Sequence, residues 1–315
     1  QVNVVFAYYP TVGDALGISA ENRIDFTAVP GPTANPVSGR PLEQHWNPPS
    51  EQPGLGRTTE APIPGPVSGF DARPAQIYLP PAYFTDPRPL LPVLVLLAGQ
   101  PGEPSDWLKG GELVATMNTY ALRHKGLAPV VVVADGTGSA MANPLCVDSP
   151  LGNVDTYLAT DVPAWIKANL QVNTDPSAWA VGGLSYGGTC ALQLATNHPD
   201  VYPTFVDLSG QLEPTLGDRD RTLAAAFGGD AAAFERVNPM DLMKRNTYPN
   251  TAGVFVVGAD DDEYRDNLKT VYETAKAAGM DVSYGEVPGG HSFAVWSAGL
   301  RKSMDWLGAR LGITA

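Results

Sequence analysis

The stretch that most restricts what this 315-residue chain can fold into is Trp179-Ala180-Val181-Gly182-Gly183-Leu184-Ser185-Tyr186-Gly187-Gly188-Thr189-Cys190-Ala191-Leu192. It reads as a short apolar strand, a glycine-crowded turn, and a helix that opens at about Tyr186 and runs toward His198 and Pro199. So tight a turn brings backbone close on both sides of its tip, and residues without a Cβ leave room for that approach. Gly183 and Gly187 occupy those places. Ser185 then stands at the tip with its hydroxyl projecting from the sheet. The Tyr186 N–H points to where an oxyanion would form, and the helix N-terminus adds positive partial charge.

The rest of the chain supplies the sheet that such a turn needs. Residues 92–98 are an unbroken apolar run bounded by Pro and Gly, the pattern of a parallel strand buried on both faces, and 129–135, ending in Asp135, read as a second buried strand. A helical segment at 112–122 lies between them, and strand, helix, strand in that order predicts a right-handed crossover. Residues 76–79, after a β-like stretch beginning at 58, predict an early antiparallel pair. Further strands are expected at 204–210, 253–258 and 282–287, with helices at 156–169 and 268–278. The fold class is therefore α/β, a mostly parallel central sheet with helices on both faces, in one domain over 56–315. Residues 1–55 carry a β-like stretch at 4–9 and then seven prolines between 30 and 53, which predicts an extended arm packed on that domain. Leu42 and Trp46 are its candidates for packing on the core or for lining a site entrance. The polar, Ala-rich piece from 211 to 250 reads as a cap or substrate-facing excursion.

With a net charge of −13 and no long Lys/Arg cluster, nucleic acid and anionic membrane surfaces are poor partners. Two cysteines and four scattered histidines make no zinc set, so no metal is expected. Cys146 lies in a loop and Cys190 just after Ser185. If the fold lays that loop over the start of the helix, the two form a disulfide, the mark of an exported protein; otherwise they are buried thiols.

A serine hydroxyl is a weak nucleophile at neutral pH and needs a base, itself oriented by a carboxylate. His291 follows the last predicted strand within Pro288-Gly289-Gly290-His291, which suits the base; His45, His124 and His198 suit solvent or capping roles. The acid falls in Asp260-Asp261-Asp262-Glu263, after the strand ending at Gly258. Loop spacing favours Asp261, with Asp260 and Asp262 as competitors, and a Ca²⁺ reading lacks the spaced ligand loop. The second oxyanion donor is expected from the loop after residues 92–98, where Gln100 has an N–H and Pro101 has none.

Gly182 to Gly188, the Gly258-x-x-Asp261 spacing and Pro288-Gly289-Gly290-His291-Ser292-Phe293-x-x-Trp296 resemble the esterase D branch of the α/β-hydrolases, which also holds the actinobacterial mycolyltransferases and feruloyl esterases. The likeness covers about residues 70 to 312 and leaves the arm outside. It implies the α/β-hydrolase fold without a large lid, and oxyanion donors at Tyr186 and Gln100. It also implies an exported or membrane-tethered protein, the tether lying outside this chain, which starts at Gln1, and the Cys146 and Cys190 placement is similar to that exported group. The family's usual His-Gly or Asp-Gly is here Ala98-Gly99, and the mycolyltransferase Glu is replaced by an Asp-rich loop, which leans toward an esterase. The expected activity is cofactor-free hydrolysis of carboxylic esters by a monomer. Its substrates would be small-molecule, cell-envelope lipid or aminoacyl-lipid esters, outside the cell or in its envelope. Acyl transfer to a sugar or lipid hydroxyl uses the same groups, and a non-catalytic binding module is the reading from another class.

Overall fold

A computed structural model of the chain describes residues 22–315. The expected strand at 4–9 lies outside the described residues. Eight strands form one sheet: β1 (Arg57–Ala61), β2 (Ala75–Leu79), β3 (Val93–Leu97), β4 (Val130–Ala134), β5 (Trp179–Leu184), β6 (Thr204–Leu208), β7 (Ala252–Gly258) and β8 (Asp281–Val287). Their order is β1-β2-β4-β3-β5-β6-β7-β8. β1 and β2 run antiparallel, β2 meets β4 antiparallel, and every later neighbour is parallel. Strands β3 through β7 are buried from end to end, which is why, apart from Thr204 and Asp207 of β6, they read as apolar runs rather than alternating ones. The edge strand β8 alternates exposed and half-buried positions at its start instead.

Parallel pairing puts the carboxyl ends of β3, β5, β7 and β8 along one edge, with Leu97 beside Gly183 and Val287 beside Gly258. The loops that leave those four ends carry Gln100, Ser185, Asp261 and His291 in turn. Helices Leu113–Arg123, Tyr186–Asn197, Asp262–Ala277 and Phe293–Arg310 join the strands and cover the sheet.

Two helix boundaries differ from the sequence reading. The helix expected from 268 starts six residues earlier, at Asp262, where the carboxylates of Asp262 and Glu263 face the positive end of the helix dipole. The helix expected over 156–169 begins at Val154 and passes through a π-helical turn at Tyr157–Asp161 before Val162–Asn169. That turn accommodates Pro163, which cannot donate to the regular ladder.

Residues 23–55 hold one 3₁₀ turn, Phe26–Ala28, one helical turn, Leu42–His45, and isolated β-bridges from Arg23 to Thr58 and from Val37 to Pro89. Leu42 and Trp46 are buried; the Trp46 indole N–H donates to the Lys125 carbonyl, and the Leu42 N–H to that of Gly312. Arg88, fully buried, donates to the carbonyls of Gly31 and Tyr83 and to the Gln171 side chain, which fastens the 31–33 segment. The 211–250 excursion folds into helices Arg219–Ala226, Ala231–Glu235 and Pro239–Arg245. It buries a small separate cluster in which Ala226, Leu216, Phe227 and Val237 meet Leu145 and Val147.

Candidate active site

Ser185 has φ 53° and ψ −117°, a left-handed-side conformation that a residue with a Cβ adopts at a cost of about 1–3 kcal/mol. The neighbouring packing maintains it. A Cβ on Gly183 would collide with the backbone of Gly187, and one on Gly187 with the carbonyl of Leu97, so both glycines are required by contact rather than by turn type. The Ser185 N–H donates to the Leu208 carbonyl (2.8 Å), and its own carbonyl accepts from the Gly188 N–H (2.9 Å). The turn is thereby tied to β6 on one side and to the first turn of the helix on the other.

His291 joins the serine to an acid. Its Nε2 lies 2.9 Å from Ser185 Oγ and its Nδ1 lies 2.8 Å from Asp261 Oδ2. Because the carboxylate only accepts, Nδ1 carries the proton and Nε2 is left to accept from the serine O–H. Asp261 is 9% exposed. Of its two neighbours, Asp262 is 85% exposed at its side chain and paired with Arg265, and Asp260 is exposed. Burial lowers the His291 pKa from the usual imidazole value, outweighing the upward pull of Asp261. The ring is therefore held neutral and able to accept a proton over a wider pH range than in water.

Two aromatic side chains enclose that imidazole. Tyr264 stacks on it with ring centroids 3.9 Å apart, and Trp296 meets it edge-on at 4.9 Å. Burial raises the Tyr264 pKa, Glu263 and Asp261 push it the same way, and contact with the Ser185 side chain opposes them. Sequence reading passed over Tyr264; the available signal was its place three residues after Asp261, one turn along the same helix start.

On the other side of Ser185, Gln100 and Gly99 line a pocket with Ser185, beside a cis Gln100–Pro101 bond. The Gln100 side-chain amide donates to the Met141 carbonyl, and the Gly102 N–H to that of Ala140. Arg73 joins this loop to the next one. It donates to both oxygens of the buried Asp135 carboxylate, to Thr137 Oγ1 and to the Gly102 carbonyl. Burial pushes the Asp135 pKa up, and the Arg73 hydrogen bonds more than reverse that, so it stays an anion below the usual carboxylate range.

Cys146 and Cys190 are joined in a disulfide, Cα atoms 5.5 Å apart, across 44 residues. The loop does cross the start of the Ser185 helix: the Tyr186 hydroxyl accepts from the Cys146 N–H and donates to the Gly136 carbonyl, and Gln193 donates to the Leu145 carbonyl. Of the other histidines, His124 lies against Glu43 (3.3 Å) and His198 against Asp155 (2.7 Å), both apart from Ser185. The described residues contain no group of three or more His, Cys, Asp or Glu side chains placed to hold a metal ion, and none of their helices is long and apolar enough to cross a membrane.

Comparison with known proteins follows the same lines. The model of the esterase family, described as "Putative esterase", matches residues 71–307. An uncharacterized protein of Corynebacterium glutamicum is 41% identical over 99% of this chain and 73% of its own length. A diacylglycerol acyltransferase/mycolyltransferase of Mycobacterium leprae is 35% identical over 81 residues, 26% of this chain and 24% of that protein. The solved structure of a ferulic acid esterase superposes with a TM-score of 0.70 at 18% identity, covering 82% of this chain and 99% of the other. The chain belongs to the esterase family, and its fold is that of the α/β-hydrolases.

Proposed function

We propose that this member of the esterase family is a serine esterase that works through an acyl-enzyme. The observation that carries the reading is the continuous chain from Asp261 through His291 to Ser185, with contacts of 2.8 and 2.9 Å. In the reaction Ser185 Oγ attacks the ester carbonyl as its proton passes to His291 Nε2. Asp261 stabilises the imidazolium so formed, which then protonates the departing alcohol. The N–H groups of Tyr186 and Gln100 hold the negative oxygen, each lowering the barrier by about 3 kcal/mol. Water, activated by the same imidazole, releases the acid. No cofactor takes part.

Cell-envelope lipid or aminoacyl-lipid esters are the proposed substrates, and the Cys146–Cys190 bridge supports an oxidising compartment outside the cytoplasm. A second reading, transfer of the acyl group to a sugar or lipid hydroxyl, draws on the short match to the Mycobacterium leprae acyltransferase. It differs only in which hydroxyl attacks the acyl-enzyme.

Initial rates on p-nitrophenyl esters, for wild type beside Ser185→Ala, test the reading. Ser185-dependent turnover is expected, with loss of at least about 10³-fold in the variant. Equal rates in both proteins would defeat it. Turnover that rises severalfold when a sugar or glycerol acceptor is added, with the acylated acceptor as product, would favour transfer.

A further inference from the structure

We infer that Arg73 is a positioning residue for the reaction: it holds the Gly99–Gln100 peptide so that the Gln100 N–H faces the oxyanion. The inference rests on the esterase reading and deepens it. Arg73 comes two residues before β2, and β2 meets β4 antiparallel, with Gln76 opposite Val133. The amino end of β2 therefore lies beside the carboxyl end of β4. The loops after β3 and β4 leave the sheet together there, with Leu97 beside Ala134.

The Arg73 guanidinium spans those two loops. Nε and Nη2 donate to the two Asp135 oxygens at 3.0 and 2.9 Å, Nη2 also to Thr137 Oγ1 at 2.8 Å, and Nη1 to the Gly102 carbonyl at 3.1 Å. The Asp135 carboxylate is a fixed anchor: it is buried and accepts the backbone N–H groups of Arg73, Thr137 and Gly138. One side of the fork is thus tied to the end of β4, and the remaining nitrogen holds Gly102. What Gly102 touches carries the effect to the nucleophile. A Cβ added to Gly102 would meet the Gly99 carbonyl oxygen at 2.6 Å, so the two residues are in close contact. That carbonyl and the Gln100 N–H belong to one planar trans peptide and point in opposite directions. Fixing Gly102 against the carbonyl therefore fixes the direction of the N–H. Gly99 itself packs on Leu184, the residue before Ser185. Ala98 and Gly99 have no polar side chain to orient this peptide. Two further bonds, from the Gln100 side-chain amide to the Met141 carbonyl and from the Gly102 N–H to that of Ala140, tie the loop to residues well beyond the end of β4.

The test is kcat and KM for wild type, Arg73→Met and Arg73→Lys on p-nitrophenyl acetate and on its thionoester, whose C=S sulfur is a poor hydrogen-bond acceptor, with the Ser185→Ala rate subtracted. Arg73→Met is expected to lower kcat on the oxoester about 30-fold with KM changed less than about threefold, because a misdirected donor weakens the transition state more than the bound substrate. Preference for the oxoester over the thionoester should shrink about tenfold with it. Arg73→Lys keeps a charge beside Asp135 but has no fork to reach Gly102 at the same time. It should unfold closer to wild type than Arg73→Met while its oxoester preference stays low. Each preference is a ratio within one preparation, so the folded fraction cancels. Equal losses on the two esters, or a kcat in Arg73→Met within about threefold of wild type, would overturn the inference and leave the esterase reading in place. If Arg73→Met does not fold, Arg73→Lys decides, and a wild-type oxoester preference there overturns the inference. Absence of Ser185-dependent turnover in the wild type would remove the esterase reading, and this inference with it.

Discussion

The turn at Ser185 and the excursion at 211–250 both set glycines beside helices, yet they are held by opposite means. At the turn, the glycines are required by what they touch: Gly183 against Gly187, and Gly187 against Leu97. In the excursion, Gly217, Gly228 and Gly229 have positive φ and no heavy atom within 4 Å of an added Cβ, so only local backbone geometry needs them. The helices differ likewise. Tyr186–Asn197 is buried from Tyr186 to Thr196, whereas Arg219–Ala226 and Ala231–Glu235 depend on the capping carboxylates of Asp218 and Asp230. Long-range packing fixes one region to the tolerance that chemistry needs, and local hydrogen bonds suffice for the other.

Four substitutions press on that contrast in two pairs, each with the larger effect first. Asp261→Asn removes the charge behind His291 and is expected to cut kcat about 10⁴-fold with the fold intact. Asp230→Asn, a carboxylate of the excursion, should leave kcat within twofold and cost less than about 1 kcal/mol. Steady-state kinetics and urea unfolding on both variants would read the difference, and a comparable kcat loss in the two would abolish the distinction. Gly183→Ala should cost more than about 3 kcal/mol and remove activity, because backbone must move. Gly229→Ala, with only a left-handed φ to strain, should cost about 1–2 kcal/mol and keep full turnover.

The disulfide sharpens the comparison because it joins the two regions: Cys190 lies in the Ser185 helix, and the loop of Cys146 packs on the excursion through Leu145 and Val147. Replacing both cysteines by serine should cost about 2–4 kcal/mol in unfolding free energy. The Tyr186 and Gln193 hydrogen bonds remain, so kcat should fall less than about fivefold. A large kcat loss without destabilisation would give the bridge a role beyond stability.

The smallest expected effect lies in pH dependence. His291 must be neutral to accept a proton, so kcat/KM rises with pH through its pKa. Burial sets that pKa below the usual imidazole value, and the acid limb should have its midpoint under about 6.5. Tyr264→Ala opens one face of the ring to water, which relieves the larger of the two opposing effects and should move the midpoint upward. A wild-type midpoint above 7 would show that the Asp261 contact dominates instead.

Much of this architecture was legible in the residues because some physical constraints are local. A buried parallel strand must be apolar on both faces, and β3, β4 and β5 announce themselves that way. A turn that brings backbone onto backbone must have glycine at fixed offsets, as at Gly183 and Gly187. Other features depend on partners distant in sequence. The position of β4 between β2 and β3, the Arg73 clamp on Asp135 and the Tyr264 stack on His291 are long-range pairings with no periodic signature. The acid was ambiguous for a related reason. Four consecutive carboxylates differ little as a string, and the direction each takes is set by where the helix begins, which came six residues earlier than the apolar pattern suggested.

The most direct test of the central claim is the intact mass of the protein after treatment with a fluorophosphonate, followed by peptide mapping. The account predicts one phosphonyl adduct per chain, located on Ser185, absent in Ser185→Ala and formed at least about 100-fold more slowly in His291→Ala. No adduct on a folded protein, or an adduct at another residue that persists in Ser185→Ala, would contradict it.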